Sequence, residues 1–203
     1  MKRSLSVVGG LFAGTLLWLI PALALWYWGR EWVVQPPAWA AEQVFLRVFP
    51  AWVLGSKMEG GDTLVLLTAL TVNHPSGQLA ELGVPVQVLK YCYGLPLYAA
   101  LLLASRAHGL WWKLPVGAFV IALFQAWGVV FDLLVAIAVH LGPVTEAQTG
   151  FGFWHVNGFA VARQIGYLLF PSLVPVMLWL ALERRFLATV LMEGTLVGAT
   201  AKR

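Results

Sequence analysis

One cysteine, two histidines and one arginine are the residues most able to do chemistry in this 203-residue chain. Cys92 is its sole cysteine, which excludes an internal disulfide and any cysteine-based zinc cluster. A Cys–His pair is the minimum for thiolate chemistry, because the imidazole takes the thiol proton. His155 and His140 are candidates for that base, and Arg163 for a group that favours the thiolate or holds an oxyanion. Each has a plainer reading. A lone cysteine is commonly a small buried hydrophobe. His155, between Trp154 and Asn157, also suits a membrane interface, and His140 suits a helix end. Gln125 and Asp132 are polar residues inside an apolar run. An ionisable group at that depth is costly and faces the protein interior, so Asp132 either pairs with Lys90 or Arg163 as a clamp or meets a partner. His74 and His108 fall in turns. No phosphate-binding glycine loop, HExxH or GxSxG is present, and nothing in the pattern calls for a metal or cofactor.

The elements that must position these residues are membrane elements. Hydrophobic residues make up 60% of the chain and DEKR only 11%, against about 25% charged in a soluble domain. A cytosolic enzyme, a disordered protein and a free nucleic-acid binder are excluded by that balance. The net charge of +4 does not point to nucleic acid, because the basic residues sit at the ends of apolar blocks. A bilayer core needs about 20 apolar residues in a helix. The composition predicts one integral membrane domain over 1–203, mainly α and polytopic, with about four spans near 5–28, 88–105, 114–140 and 165–182. The first run is too long for a signal-peptide core, and no small-x-small site ends it. Ala41, Val44, Phe45, Val48 and Trp52 recur near helical spacing, which predicts a short interfacial helix between Ala38 and Trp52. Residues 62–90 pair a Thr/Leu/Val run with alternating Val84, Val86 and Val88 across an NHPSG turn, the pattern of an extramembrane β-hairpin. A re-entrant apolar segment is the other reading of that stretch. Pro85 places the second strand at an edge. Residues 142–163 read as an outer loop rich in Gly and aromatic residues.

Lys2 and Arg3, then Arg106 and Lys113, then Arg184 and Arg185 fall on one side of four spans. The positive-inside rule makes that side the cytoplasm, with both termini inside. Cys92, His140, His155 and Arg163 then converge on the outer face.

The run Tyr91-Cys92-Tyr93-Gly94-Leu95-Pro96, an apolar span and a basic turn with Trp111-Trp112 together resemble the core of the exosortase/archaeosortase family. That resemblance implies a multi-spanning cysteine transpeptidase acting on C-terminal sorting signals. Cys92-Tyr93-Gly94 is similar to the family's Cys-x-Gly element, and Phe153-Trp154-His155 through Gly158 to its histidine element. The arginine element is missing, since the third span reads Ala126-Trp127-Gly128-Val129-Val130 there, and only Arg163 could stand in from the next span. The hairpin and the GLPLYAALLLAS run are more similar to the exosortase H-associated membrane proteins. This resemblance implies an accessory protein that binds a sortase, or the substrates' C-terminal signal, on the outer face. A divergent transpeptidase using Cys92, His155 and Arg163 is the second reading, and a scaffold or assembly factor without a sorting role the third.

Overall fold

A computed structural model describes residues 2–73, 79–140 and 142–184. His74, Arg185 and the tail with Lys202 and Arg203 lie outside the described residues, as does the side chain of His140. In chain order the elements are α1 (Lys2–Trp28), α2 (Arg30–Val33), α3 (Gln35–Val48), β1 (Val53–Glu59), β2 (Thr63–Asn73) and β3 (Leu79–Gln87). A 3₁₀ turn (Val88–Tyr91) leads into α4 (Gly94–Ala104) and α5 (Leu110–Val135). A π turn (Ala136–His140), α6 (Gly142–Thr149) and α7 (Phe153–Gln164) follow, then a second π turn (Ile165–Leu169) and α8 (Phe170–Leu182). The protein is a mainly helical membrane protein with a small antiparallel sheet. Three helices are long and apolar enough to cross a bilayer: Gly9–Trp28, Leu110–Val139 and Phe153–Leu182. The α4 helix is apolar but has 11 residues, about 16 Å of rise, so it does not span a bilayer core of about 30 Å by itself.

Two compact units form. The first draws on the chain up to Trp28, on Tyr93–Ile121 and on the chain from Ser172. Here α1 packs on α4 through small residues: a Cβ on Gly14 would lie 3.4 Å from that of Ala104. Tyr98, Leu101, Leu102, Ala107, Ile121 and Trp179 form the buried core. The Tyr98 hydroxyl donates to the Lys113 carbonyl at 2.8 Å, and its ring fills the space where a Cβ on Gly117 would stand, 2.2 Å away. Trp179 Nε1 donates to Ser105 Oγ at 3.0 Å. Lys113 and Glu183, both buried, form an ion pair.

The second unit comprises Gly29–Cys92 and Ala122–Pro171. Its sheet has the order β1-β2-β3, all antiparallel. Val84, Val86 and Val88 are buried while Pro85 and Gln87 are exposed, so the alternation read from the sequence is the burial pattern of β3. Pro85, with no N–H to give, sits on an edge strand opposite Val65. The sheet is a three-stranded meander rather than a two-stranded hairpin. Sequence alternation misses β1, because VLGSKME carries a glycine and two charges and only Val53 is buried. What holds β1 is its pairing with β2 and a bond from Ser56 N–H to Glu42 Oε1 of α3, at 3.1 Å. Gly60 and Gly61, at φ 62° and 84°, supply the left-handed turn between the strands.

The α3 helix starts at Gln35, with Pro36 and Pro37 in its first turn, where a missing N–H costs nothing. Its buried residues are Pro37, Ala38, Ala41 and Phe45, with the capping Val34 buried before them, while Val44 and Val48 are exposed. Of the expected stripe, Ala41, Phe45 and Trp52 are buried, and the helix runs Gln35–Val48 rather than from Ala38 to Trp52. Residues 142–163, expected as a loop, are mostly helical. α7 continues through the second π turn into α8 as one 30-residue helix, Phe153–Leu182. Gln148 of α6 holds β2 like a paired strand: its Nε2 donates to the Thr71 carbonyl at 3.1 Å, and Thr71 N–H donates to its Oε1 at 3.2 Å. This pairing sits where the β2–β3 register shifts, between Leu67 and Thr71.

Candidate functional site

Four residues from three stretches of chain meet in the second unit. Asp132 comes from α5, Lys90 and Tyr91 from the 3₁₀ turn, and Arg163 from the last turn of α7. Lys90 Nζ donates to Asp132 Oδ2 at 2.6 Å, and Arg163 Nε donates to Oδ1 at 2.7 Å. Asp132 is buried, so its two charge-assisted bonds offset the cost of removing a carboxylate from water. The Lys90 and Arg163 side chains are 32% and 44% exposed. Two cations facing one carboxylate leave one net positive charge at the mouth of the cluster.

Glycines allow the close approach. A Cβ on Gly128 would lie 2.4 Å from Tyr91 Cδ1, so the ring packs directly on the α5 backbone. A Cβ on Gly166 would lie 2.7 Å from Gly128 Cα, which brings the second π turn against the same stretch of α5. Tyr91 meets Tyr167 edge-on, with ring centroids 6.0 Å apart, and Lys90 Nζ lies 5.3 Å from the Tyr91 centroid. A cavity of about 430 Å³ opens here, lined by Lys90, Tyr91, Arg163, Gln164, Tyr167 and Leu168 among others. The buried Tyr91 hydroxyl and Gln125 Nε2 have no hydrogen-bond partner among the described residues. Gln125 stands two turns before Asp132 on α5.

The residues singled out for thiolate chemistry go to different surroundings. Cys92 is fully buried, and its Sγ donates to the Val88 carbonyl at 3.5 Å. His155 is exposed, its ring 5.9 Å from that of Phe151 and 6.1 Å from that of Phe159. Arg163 is held by Asp132. Among the described residues no hydrogen bond or ion pair joins any two of Cys92, His155 and Arg163. Among the described residues Lys90 and Arg163, the cations of this region, are both paired with Asp132. The tyrosine next to that cysteine, and the glycines facing it, are what sequence reasoning missed. The signal available was the pair Gly128 and Gly166 inside apolar helices, where glycine is unfavourable unless a backbone must approach closely. Among the described residues no group of three or more His, Cys, Asp and Glu side chains could hold a metal ion. What the cluster can do is present positive charge, backed by two tyrosines, at one wall of a small cavity.

No curated protein and no solved structure matches the chain. A family profile described as exosortase H-associated membrane protein matches residues 5–186. With most of its length covered, the chain belongs to the exosortase H-associated membrane protein family.

Proposed function

We propose that this protein is an accessory subunit of an exosortase H sorting system. It resides in the bacterial inner membrane with both termini cytoplasmic. On the outer face its sheet and the helical segment 142–163 engage the sortase, or the C-terminal signal of the sortase's substrates. Family membership is the observation that carries this reading. The distribution of Lys2, Arg3, Arg106, Lys113 and Arg184 supports the orientation, with the stretch 88–105 completing the second crossing. The Lys90–Asp132–Arg163 cluster supports a polar partner surface near the outer boundary.

Crosslinking in native membranes, followed by capture of a tagged copy, tests the partnership. Recovery of an intact exosortase H is the expected outcome. In parallel, deletion of this protein should slow processing of a sorting-signal reporter only in cells that carry the sortase. A capture without sortase, together with unchanged processing, would overturn the proposal.

A further inference from the structure

A second cavity, of about 840 Å³, lies in the first unit, where α4 ends, α5 begins and α8 ends. Ser105, Arg106, His108, Trp112, Lys113 and Arg184 are among the residues that line it. Its charges are lopsided. Glu183, the one carboxylate in the lining, is taken by Lys113. Arg106 and Arg184 are exposed and make no ion pair among the described residues. Among the described residues the wall therefore offers two guanidinium groups without a paired carboxylate, and His108 also lines it.

The backbone at Arg106 supplies an independent observation. Helix α4 ends in a Schellman motif: Ala107 N–H donates to the Leu102 carbonyl at 3.0 Å, and Arg106 N–H to the Leu103 carbonyl at 3.1 Å. Arg106 holds the left-handed position of that motif at φ 51°, the sole described non-glycine residue with positive φ. Glycine takes this conformation without strain, whereas an L side chain is strained there. Glycine would cap α4 better than arginine, so the side chain is what the position gains. Arginine also complements the negative end of a helix, which is the rival explanation.

We infer that this cavity binds the phosphate of an anionic phospholipid headgroup through Arg106 and Arg184. It sits at the ends of apolar helices, where a bilayer presents its headgroups, and basic pockets between membrane helices suit anionic lipid heads. Trp112 in its lining and Trp111 next in the chain are both exposed, as interfacial aromatics are. The first turn of α5 adds a helix N-terminus, which favours anions. Guanidinium groups hold phosphate oxygens in a fork geometry, so arginine fits the task better than lysine. This inference does not depend on the sorting role.

The test is native mass spectrometry of the full-length protein in neutral detergent, titrated separately with phosphatidylglycerol, cardiolipin and phosphatidylcholine. The anionic lipids should bind at least about fivefold more tightly than phosphatidylcholine. Arg106→Gly and Arg184→Gln should each weaken that binding about fivefold. Arg106→Gly should leave thermal stability equal or higher, because it relieves the backbone, whereas a purely capping arginine would lose stability and leave lipid binding intact. Arg106→Lys, which keeps the charge but not the fork, should bind more tightly than Arg106→Gly and more weakly than the parent protein. Equal binding of neutral and anionic lipid overturns the inference, as does an Arg106→Gly variant with unchanged affinity. Displacement of the lipid by millimolar inorganic phosphate would assign the cavity to a soluble phosphate and overturn the lipid.

Discussion

Replacing Asp132 with asparagine removes one charge and leaves two. Lys90 and Arg163 approach its carboxylate oxygens at 2.6 and 2.7 Å, one per oxygen. Asp132→Asn keeps the shape and one acceptor but leaves both cations without a counter-charge. Breaking a fully buried ion pair costs about 3–5 kcal/mol, while an exposed pair is worth about 0.2–1 kcal/mol. Here the carboxylate is buried and the partners are 32% and 44% exposed, so each contact falls between those limits. Roughly 1–1.5 kcal/mol per contact gives a loss of about 2–3 kcal/mol. The assay is the thermal midpoint of the purified protein in detergent, which should fall by several degrees. Lys90→Gln alone should cost less, because Arg163 still neutralises Asp132. The Lys90→Gln/Asp132→Asn pair should lose less than the sum of its parts, since it removes one of the stranded cations. An Asp132→Asn midpoint within about a degree of wild type would refute the reasoning, given a few degrees per kcal/mol for a chain this size. So would strict additivity of the two changes.

Gly128→Ala places a methyl where Tyr91 Cδ1 lies 2.4 Å away, and Tyr91 is fully buried. It should cost about 1–3 kcal/mol by overpacking, and Tyr91→Leu in the same chain should return part of it; a thermal melt reads both. Cys92→Ala should lower stability by about 1 kcal/mol and leave reporter processing intact, since the thiol touches no base; abolished processing with normal protein levels would restore the catalytic reading. A membrane-impermeant maleimide should fail to label native Cys92 from either side and label it after denaturation. Gln148→Ala should speed hydrogen exchange at Thr71, whose N–H loses its acceptor, while exchange at Val84 and Val86 stays slow.

Residue periodicity and composition reveal those parts of the fold that rest on local apolar patterning. The scarcity of charge marks the membrane class, and Val84, Val86 and Val88 mark one face of β3. β1 is illegible because its order comes from β2 and from Glu42 rather than from its own residues. In the 30-residue helix Phe153–Leu182 the part from 165 onward is legible as an apolar span, whereas the part before it is not, because Asn157 and Gly158 read as loop signals. Asn157 in fact supports the helix, since its Nδ2 donates back to the Phe153 carbonyl at 2.9 Å, and the role of Gly166 is tertiary, since it meets Gly128. In the site, Asp132 stands out as a charge within an apolar run. That it holds both Lys90 and Arg163 depends on two distant stretches arriving on the same side of α5, which spacing cannot show. The cysteine motif drew attention to the turn of chain that also carries Lys90 and Tyr91. Cys92 is packed away, while Tyr91 and Lys90 face the cavity.

The π turn at Ile165–Leu169 changes what kind of mutation this region tolerates. A π turn carries one residue more than an α-helix of the same pitch. Deleting one residue there would restore an unbroken α-helix with every backbone bond made. Yet it would rotate the flanking stretch by about 100° per residue lost. Gly166 would no longer face Gly128, and a side chain would be driven into the α5 backbone in its place. Arg163, before the turn, and Tyr167, within it, would lose their shared place in the cavity lining. Exposed positions such as Leu168 and Leu169 should accept conservative exchange, whereas the count of residues should not change. Through this stretch the number of residues, more than their identity, is what the packing against Gly128 constrains.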